Sequence, residues 1–288
     1  MNLQPEQDWD IEITPKSSLF NLQLKDTWHY RDLLFLLVRR DFVSFYKQTI
    51  LGPVWFFIQP AITVAIYTLV FSNLAKISTD DVPAPLFYLA GTIIWNYFAD
   101  CLTKTSTVFK DNSAMMGKVY FPRLIMPLSI VCSNLIRFAV QFILFVAVII
   151  YYATVKGQMI HPTIYILLFP LLVVLIAALG LGLGMMVSAV TTKYRDLAFV
   201  VSFGVPLLMY GTTVIYPLST VVNKYPQYSW LVKYNPVTPI IETFRYGFFS
   251  NGVFDWGLLS YSVGITAIIL LTGIVIFNRV EKNFVDTV

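Results

Sequence analysis

Few side chains in this sequence could do chemistry, and their spacing limits what that chemistry can be. Glu242 and Arg245 stand three residues apart in the stretch YNPVTPIIETFRYGFF. On a helix that spacing puts a carboxylate and a guanidinium on one face, where they can pair. Arg137 lies within a long apolar run, and Asp100 closes another. Such groups either pair, snorkel toward water or relay protons, and the first two readings need no further partners. Asp80 and Asp81 are adjacent, the usual signature of a solvated loop. With Glu242 they are also the only plausible acids if the chain were an enzyme. His29 and His161 are far apart and form no metal-binding pair. Gly117-Lys118 is followed by Val119, so no phosphate-cradling glycine loop is present. Gly180, Gly182 and Gly184 lack the third glycine offset of a dinucleotide fingerprint. The four-residue step from Gly180 to Gly184 instead suits close packing of membrane helices.

The elements that hold these residues are set by composition. Of 288 residues, 57% are hydrophobic and only 12% are charged. That is about half the charge of a soluble domain. An ordinary soluble enzyme, a disordered chain and a nucleic-acid binder are excluded, leaving a helical integral membrane protein. Two cysteines, Cys101 and Cys132, make no disulfide framework. Charge-free intervals long enough for a bilayer core of about 20 helical residues predict six spans, near 53–75, 84–102, 127–152, 163–188, 197–217 and 257–278. The first 30 residues hold Glu6, Asp8, Asp10 and Glu12 and no apolar signal region. The first span is therefore expected to direct insertion.

Lys and Arg set the orientation. The N-terminal segment, the second-to-third and fourth-to-fifth connections and the tail carry 14 of them, against 5 on the opposite side. Both termini are expected in the cytoplasm, with residues 1–26 as a tail.

Three segments are not spans. Residues 27–52 repeat Leu34, Val38, Phe42, Phe45 and Thr49 at helical spacing, with Asp32, Arg40 and Lys47 on another side. This predicts an amphipathic helix in the cytoplasmic interface, with Asp26 or Thr27 capping its start. It is either an anchor or a transmitter of motion to the first span. Residues 103–126 form a basic and apolar connection. Asp111 or Asn112 is expected to cap a short helix through Lys118, and Pro122 to end it. Its Met115, Met116, Val119, Tyr120 and Phe121 either fill a socket on a partner or pack on the protein itself. Residues 218–255 are rich in Tyr, Trp and Pro, too apolar for a free loop and too polar for a span. They predict short helices dipping into the outer interface, as a cap or as a gate.

Two aromatic stripes complete the reading. Phe56, Gln59, Thr63 and Tyr67 share one face of the first span, and Phe203, Tyr210, Thr213 and Tyr216 lie close to one face of the fifth. Rings with polar neighbours offer stacking faces beside hydrogen-bonding groups, so a ligand bearing hydroxyls would not leave them stranded against Leu alone. Packing against other helices or lipid is the alternative for each ring.

The spans hold no group placed for ion coupling and no inverted repeat is evident, so the energy for transport is expected from a docked motor.

The segments LLVRRDFVSFYKQTILGPVWFFIQP, KVYFPRLIMPLS, TTKYRD and YNPVTPIIETFRYGFF together resemble the permease subunits of bacterial ABC-type polysaccharide exporters. The resemblance runs from about residue 28 to the end. It implies an all-α integral membrane protein with six transmembrane helices, an N-terminal cytoplasmic amphipathic helix and external re-entrant helices before the last span. It further implies a homodimer in the bacterial cytoplasmic (inner) membrane, bound to two copies of a cytoplasmic ATPase. This chain would bind no cofactor, with ATP and Mg on that partner. Asn112, Lys118, Tyr120, Phe121, Pro122 and Arg123 would form the coupling segment. Residues 218–255, with Glu242 and Arg245, would gate the outer mouth. The path for a lipid-linked polysaccharide would run between protomers, lined by the two aromatic stripes. Two rivals stand beside it: an ABC permease for a drug or lipid, and an intramembrane enzyme acting on polyprenyl-linked sugars.

Overall fold

The computed structural model describes residues 24–47, 49–116, 121–158, 160–194 and 196–284. All regular structure among them is helical. That is what hydrocarbon demands, since a helix satisfies its backbone polar groups internally.

A short turn, Leu24–His29, precedes the amphipathic helix α1 (Arg31–Tyr46). The amphipathic segment thus breaks at Tyr30 and stops at Tyr46, where a single helix over 27–49 was expected. Next come α2 (Gly52–Leu74), α3 (Ala84–Ser106), α4 (Ile125–Thr154) and α5 (Ile164–Lys193). They are followed by α6 (Leu197–Gly211), α7 (Val237–Phe249) and α8 (Trp256–Phe284). Four stretches are long and apolar enough to cross a membrane: α2, α4, α5 and Trp256–Val280 of α8. Among the six expected spans, α3 and α6 fall outside that set, for different reasons.

α3 is the hub of the bundle. Leu86, Tyr88, Ala90, Ile93, Ile94 and Cys101 are fully buried. A helix wrapped by protein need not be lipid-soluble, so its sequence tolerates Thr92, Asn96 and Lys104. Glycines let α5 lie against it. A β-carbon at Gly180 would stand 2.9 Å from the Phe98 carbonyl, and one at Gly184 2.6 Å from Thr105 Cβ. Gly182 points to the other side and meets Gly273 of α8, where a β-carbon would reach 2.5 Å from the Gly182 carbonyl. The glycine stripe is thus a two-sided packing device.

α6 is shorter than the expected 197–217. After Gly211 the chain turns extended at Thr212 (φ −126°, ψ 170°). The backbone carbonyls of the buried Thr213 and Val214 find a partner described below.

Two ends of the bundle are distinct. At one, Leu37 of α1, Phe109, Phe121, Met185 of α5 and Phe277 of α8 form a common apolar cluster. At the other, Ser219 donates to the Asp80 carboxylate at 2.8 Å, Asn251 donates to the Asp80 carbonyl at 2.8 Å, and the Thr163 amide donates to the Gly247 carbonyl at 2.9 Å. The amphipathic helix and the connection after α3 thus lie at one end, and the loops around Asp80 and Thr163 at the other.

Candidate functional site

At the Asp80 end, α7 presents Arg245, which is 2% exposed. Its Nη1 donates to the Thr213 carbonyl at 2.5 Å, and its Nη2 donates to Val214 at 2.9 Å and Phe87 at 3.1 Å. The guanidinium lies 3.5 Å from the centroid of the Phe87 ring, a cation–π contact in a dry setting. Glu242 stands 3.5 Å away on the same face, as the sequence spacing predicted, and its other oxygen accepts from the Val253 amide at 3.2 Å. Burial pushes the Glu242 carboxyl up and the Arg245 guanidinium down, and each opposes the shift of the other. Gly91 makes room for the arrangement, since a β-carbon there would lie 2.7 Å from Arg245 Nη2. Arg245 therefore rivets α7 to α3 and to the segment leaving α6. Two further bonds hold that segment: the Tyr216 hydroxyl donates to the Tyr210 carbonyl at 2.5 Å and the Asn235 amide to Gly211 at 3.1 Å.

The aromatic stripes divide. Phe203 and Tyr210 are 71% and 54% exposed on α6. Thr213 is buried, and its carbonyl serves Arg245. On α2, Phe56 packs inside the protomer, stacked on Phe42 at 6.2 Å and 5.5 Å from the Arg137 guanidinium. The Thr63 hydroxyl returns to the Gln59 carbonyl of its own helix. Tyr67 reaches across to α6 within one protomer, its hydroxyl 3.8 Å from Met209 Sδ. An apolar cavity of about 470 Å³ lies beside α2, lined by Ala61, Val64, Ala65 and Thr68 with Leu144 and Val148 of α4. None of the stripe residues lines it.

At the opposite end, the connection after α3 forms two short helical turns among the described residues, Val108–Asp111 and Ser113–Met116; the second begins directly after Asn112, and the remainder of the expected helix through Lys118 lies outside the described residues. Asn112 donates back to the Val108 carbonyl at 3.0 Å, closing the first turn. Phe121 is 4% exposed and packs under the protein's own helices. It is not the exposed apolar contact allowed for above, because Leu37, Phe109 and Phe277 offer it a dry site. Pro122 is buried and Arg123 half-buried. Lys118 and Tyr120 lie outside the described residues.

The acids of the enzyme alternative do not converge on a cavity. Asp80 is engaged by Ser219, and Glu242 faces Arg245. Among the described residues no three His, Cys, Asp or Glu side chains are grouped to hold a metal.

Residues 32–249 match the family described as ABC-2 type transporter. The chain belongs to this family. Its relatives include the O-antigen export system permease protein RfbA of Myxococcus xanthus, 26% identical over 92% of this chain and 98% of that protein. A protein of the same name from Klebsiella pneumoniae is 27% identical over 88% and 94%. This ABC-2 chain is accordingly a transport component, multi-pass and helical.

Proposed function

We propose that this ABC-2 chain is the permease subunit of an exporter of lipid-linked polysaccharide across the bacterial inner membrane, driven by a separate ATPase. The observation that carries the reading is the near end-to-end alignment with permeases named for O-antigen export. The fold accords with it. α3 and α6 run between the same two ends as the four long apolar helices, giving six crossings, with α7 and its neighbours as a re-entrant cap. Both termini then face the cytoplasm, where Lys and Arg concentrate.

Two protomers and two ATPase copies make the working unit. The exposed apolar face of α6, including Phe199, Phe203 and Tyr210, supports a partner helix or lipid there, and a path between protomers would carry the aromatic residues of α2 and α6. The segment Asn112–Arg123, which carries the basic residues Lys118 and Arg123, is the ATPase contact. The Glu242–Arg245 rivet holds the outer gate shut at rest. ATP and Mg belong to the partner.

Co-purification tests the assembly. Tagged permease should recover untagged permease and the ATPase together. Recovery of monomeric permease without ATPase, in a membrane that still exports, would contradict it.

A further inference from the structure

A polar cavity of about 190 Å³ lies between α1, α3 and α4, with Asp41, Ser44, Lys104, Ser133, Asn134 and Arg137 among its walls. A single water needs only about 15 Å³ of such space, so a phosphoryl group fits. Lys104 enters from α3 and is held by Asn134 Oδ1 at 2.7 Å. Arg137 enters from α4, 3.7 Å from Asp100. Of the two carboxylates nearby, Asp41 is taken by Arg40 at 2.8 Å and Asp100 sits by Arg137. Lys104 and Arg137 are the two cations in its wall, and Lys104 is the one held by an amide. Ser133 is 92% buried, and its hydroxyl makes no hydrogen bond among the described residues. A buried hydroxyl without a partner costs free energy, and a ligand oxygen in the cavity would satisfy it.

We propose that this cavity binds the phosphoryl group of a membrane lipid, foremost the phosphate or diphosphate headgroup of the lipid-linked substrate. An ammonium, a guanidinium and a hydroxyl donor converging in a partly dry cleft match phosphoryl oxygens. The cleft's position favours a lipid over a free anion. Phe42 of α1 and Ile130 of α4 stand in its wall beside the polar groups, so an acyl or prenyl chain leaving the headgroup meets apolar surface. Occupancy reaches two elements at once. Phe42 of α1 lines the cavity and stacks on Phe56 of α2, which also lies by Arg137. The substrate assignment rests on the export reading above; the phosphoryl site does not.

The test uses the permease–ATPase complex in phosphatidylcholine nanodiscs, with geranylgeranyl diphosphate and inorganic diphosphate as separate probes. Lys104→Met and Ser133→Ala are compared with parent, with Lys104→Arg as the charge-preserving rescue and exposed Lys156→Ala as the charge control. Lys104→Met should weaken binding of the prenyl diphosphate at least about tenfold, the scale of one charged hydrogen bond. Ser133→Ala should weaken it less, while Lys104→Arg and Lys156→Ala stay near parent. Inorganic diphosphate should bind far more weakly than the lipid. Equal affinity for both probes would overturn the lipid assignment. Prenyl-diphosphate binding unchanged in Lys104→Met and Ser133→Ala, with the complexes intact by size exclusion, would overturn the site. Polysaccharide export is scored in cells with the same variants. A parent that exports but does not bind overturns the site alone, and one that binds but does not export overturns the export reading alone.

Discussion

Arg245 spends three backbone acceptors, one aromatic face and one carboxylate on a single side chain, and removing it strands all of them. Breaking a buried pair by deleting one partner typically costs about 3–5 kcal/mol, so Arg245→Met should lower the thermal unfolding midpoint in detergent markedly. Glu242→Gln should cost less, because Arg245 keeps its carbonyls and the amide still accepts from Val253. Equal losses would mean that the ion pair, not the carbonyl set, holds α7. Gly91→Ala should mimic part of the Arg245 loss, since its β-carbon would press on Nη2 at 2.7 Å and on the Val214 backbone at 3.1 Å. The pair itself was legible from an i, i+3 spacing. The carbonyls of Phe87, Thr213 and Val214 were not, because a backbone acceptor leaves no mark in side-chain pattern. Thr213, a member of the fifth-span stripe, is buried, and its carbonyl is the acceptor that Arg245 uses.

Among the elements, α5 is tied to its neighbours by glycines that leave no space for side chains. Gly184→Leu drives a side chain into Thr105 and the Leu102 carbonyl, and overpacking of this kind costs about 1–3 kcal/mol. The expected readout is a lower yield of folded permease, with Gly204→Leu as a tolerated control, since nothing lies within 4 Å of a β-carbon there. The connection after α3 carries a different prediction. Arg123→Glu should weaken recovery of the ATPase by charge reversal while membrane insertion stays intact; unchanged recovery together with unchanged export would refute the contact. Tyr67 and Tyr210 belong to α2 and α6, which meet at Met209. Tyr67→Ala and Tyr210→Ala should each reduce polymer export with ATPase binding preserved, and full export by both would place the path elsewhere. Phe121 shows the limit of reading such segments by hydropathy alone. An apolar side chain in a basic loop suits a partner or the protein's own core equally, and only the cluster of Leu37, Phe109 and Phe277 decides.

Across the whole molecule, charge-free intervals located the long helices, within two residues at each end for α2 and α4 and four to six residues short at the far ends of α3, α5 and α8. α6 was the exception: no charge marks where a helix ends in an extended turn, so its span was drawn six residues too long. The hub position of α3 was equally hidden, since its polar residues lower its hydropathy for a reason that exists only once neighbours surround it. The two ends of the bundle have separate contact sets, the Leu37, Phe109, Phe121 and Phe277 cluster at one and the Asp80 hydrogen bonds at the other. Reporter fusions after Asp81 and after Lys110 should fall on opposite sides of the membrane, and the same side for both would end the six-crossing topology. The central claim is that the chain moves a polysaccharide and draws its energy from a partner. The direct measurement is appearance of the lipid-linked polymer on the outer leaflet of vesicles reconstituted with permease, ATPase and ATP. Export should require all three and stop when the ATPase is replaced by a hydrolysis-deficient variant. Export continuing with that variant, or turnover of polyprenyl-linked sugar by the purified chain alone, would contradict the account.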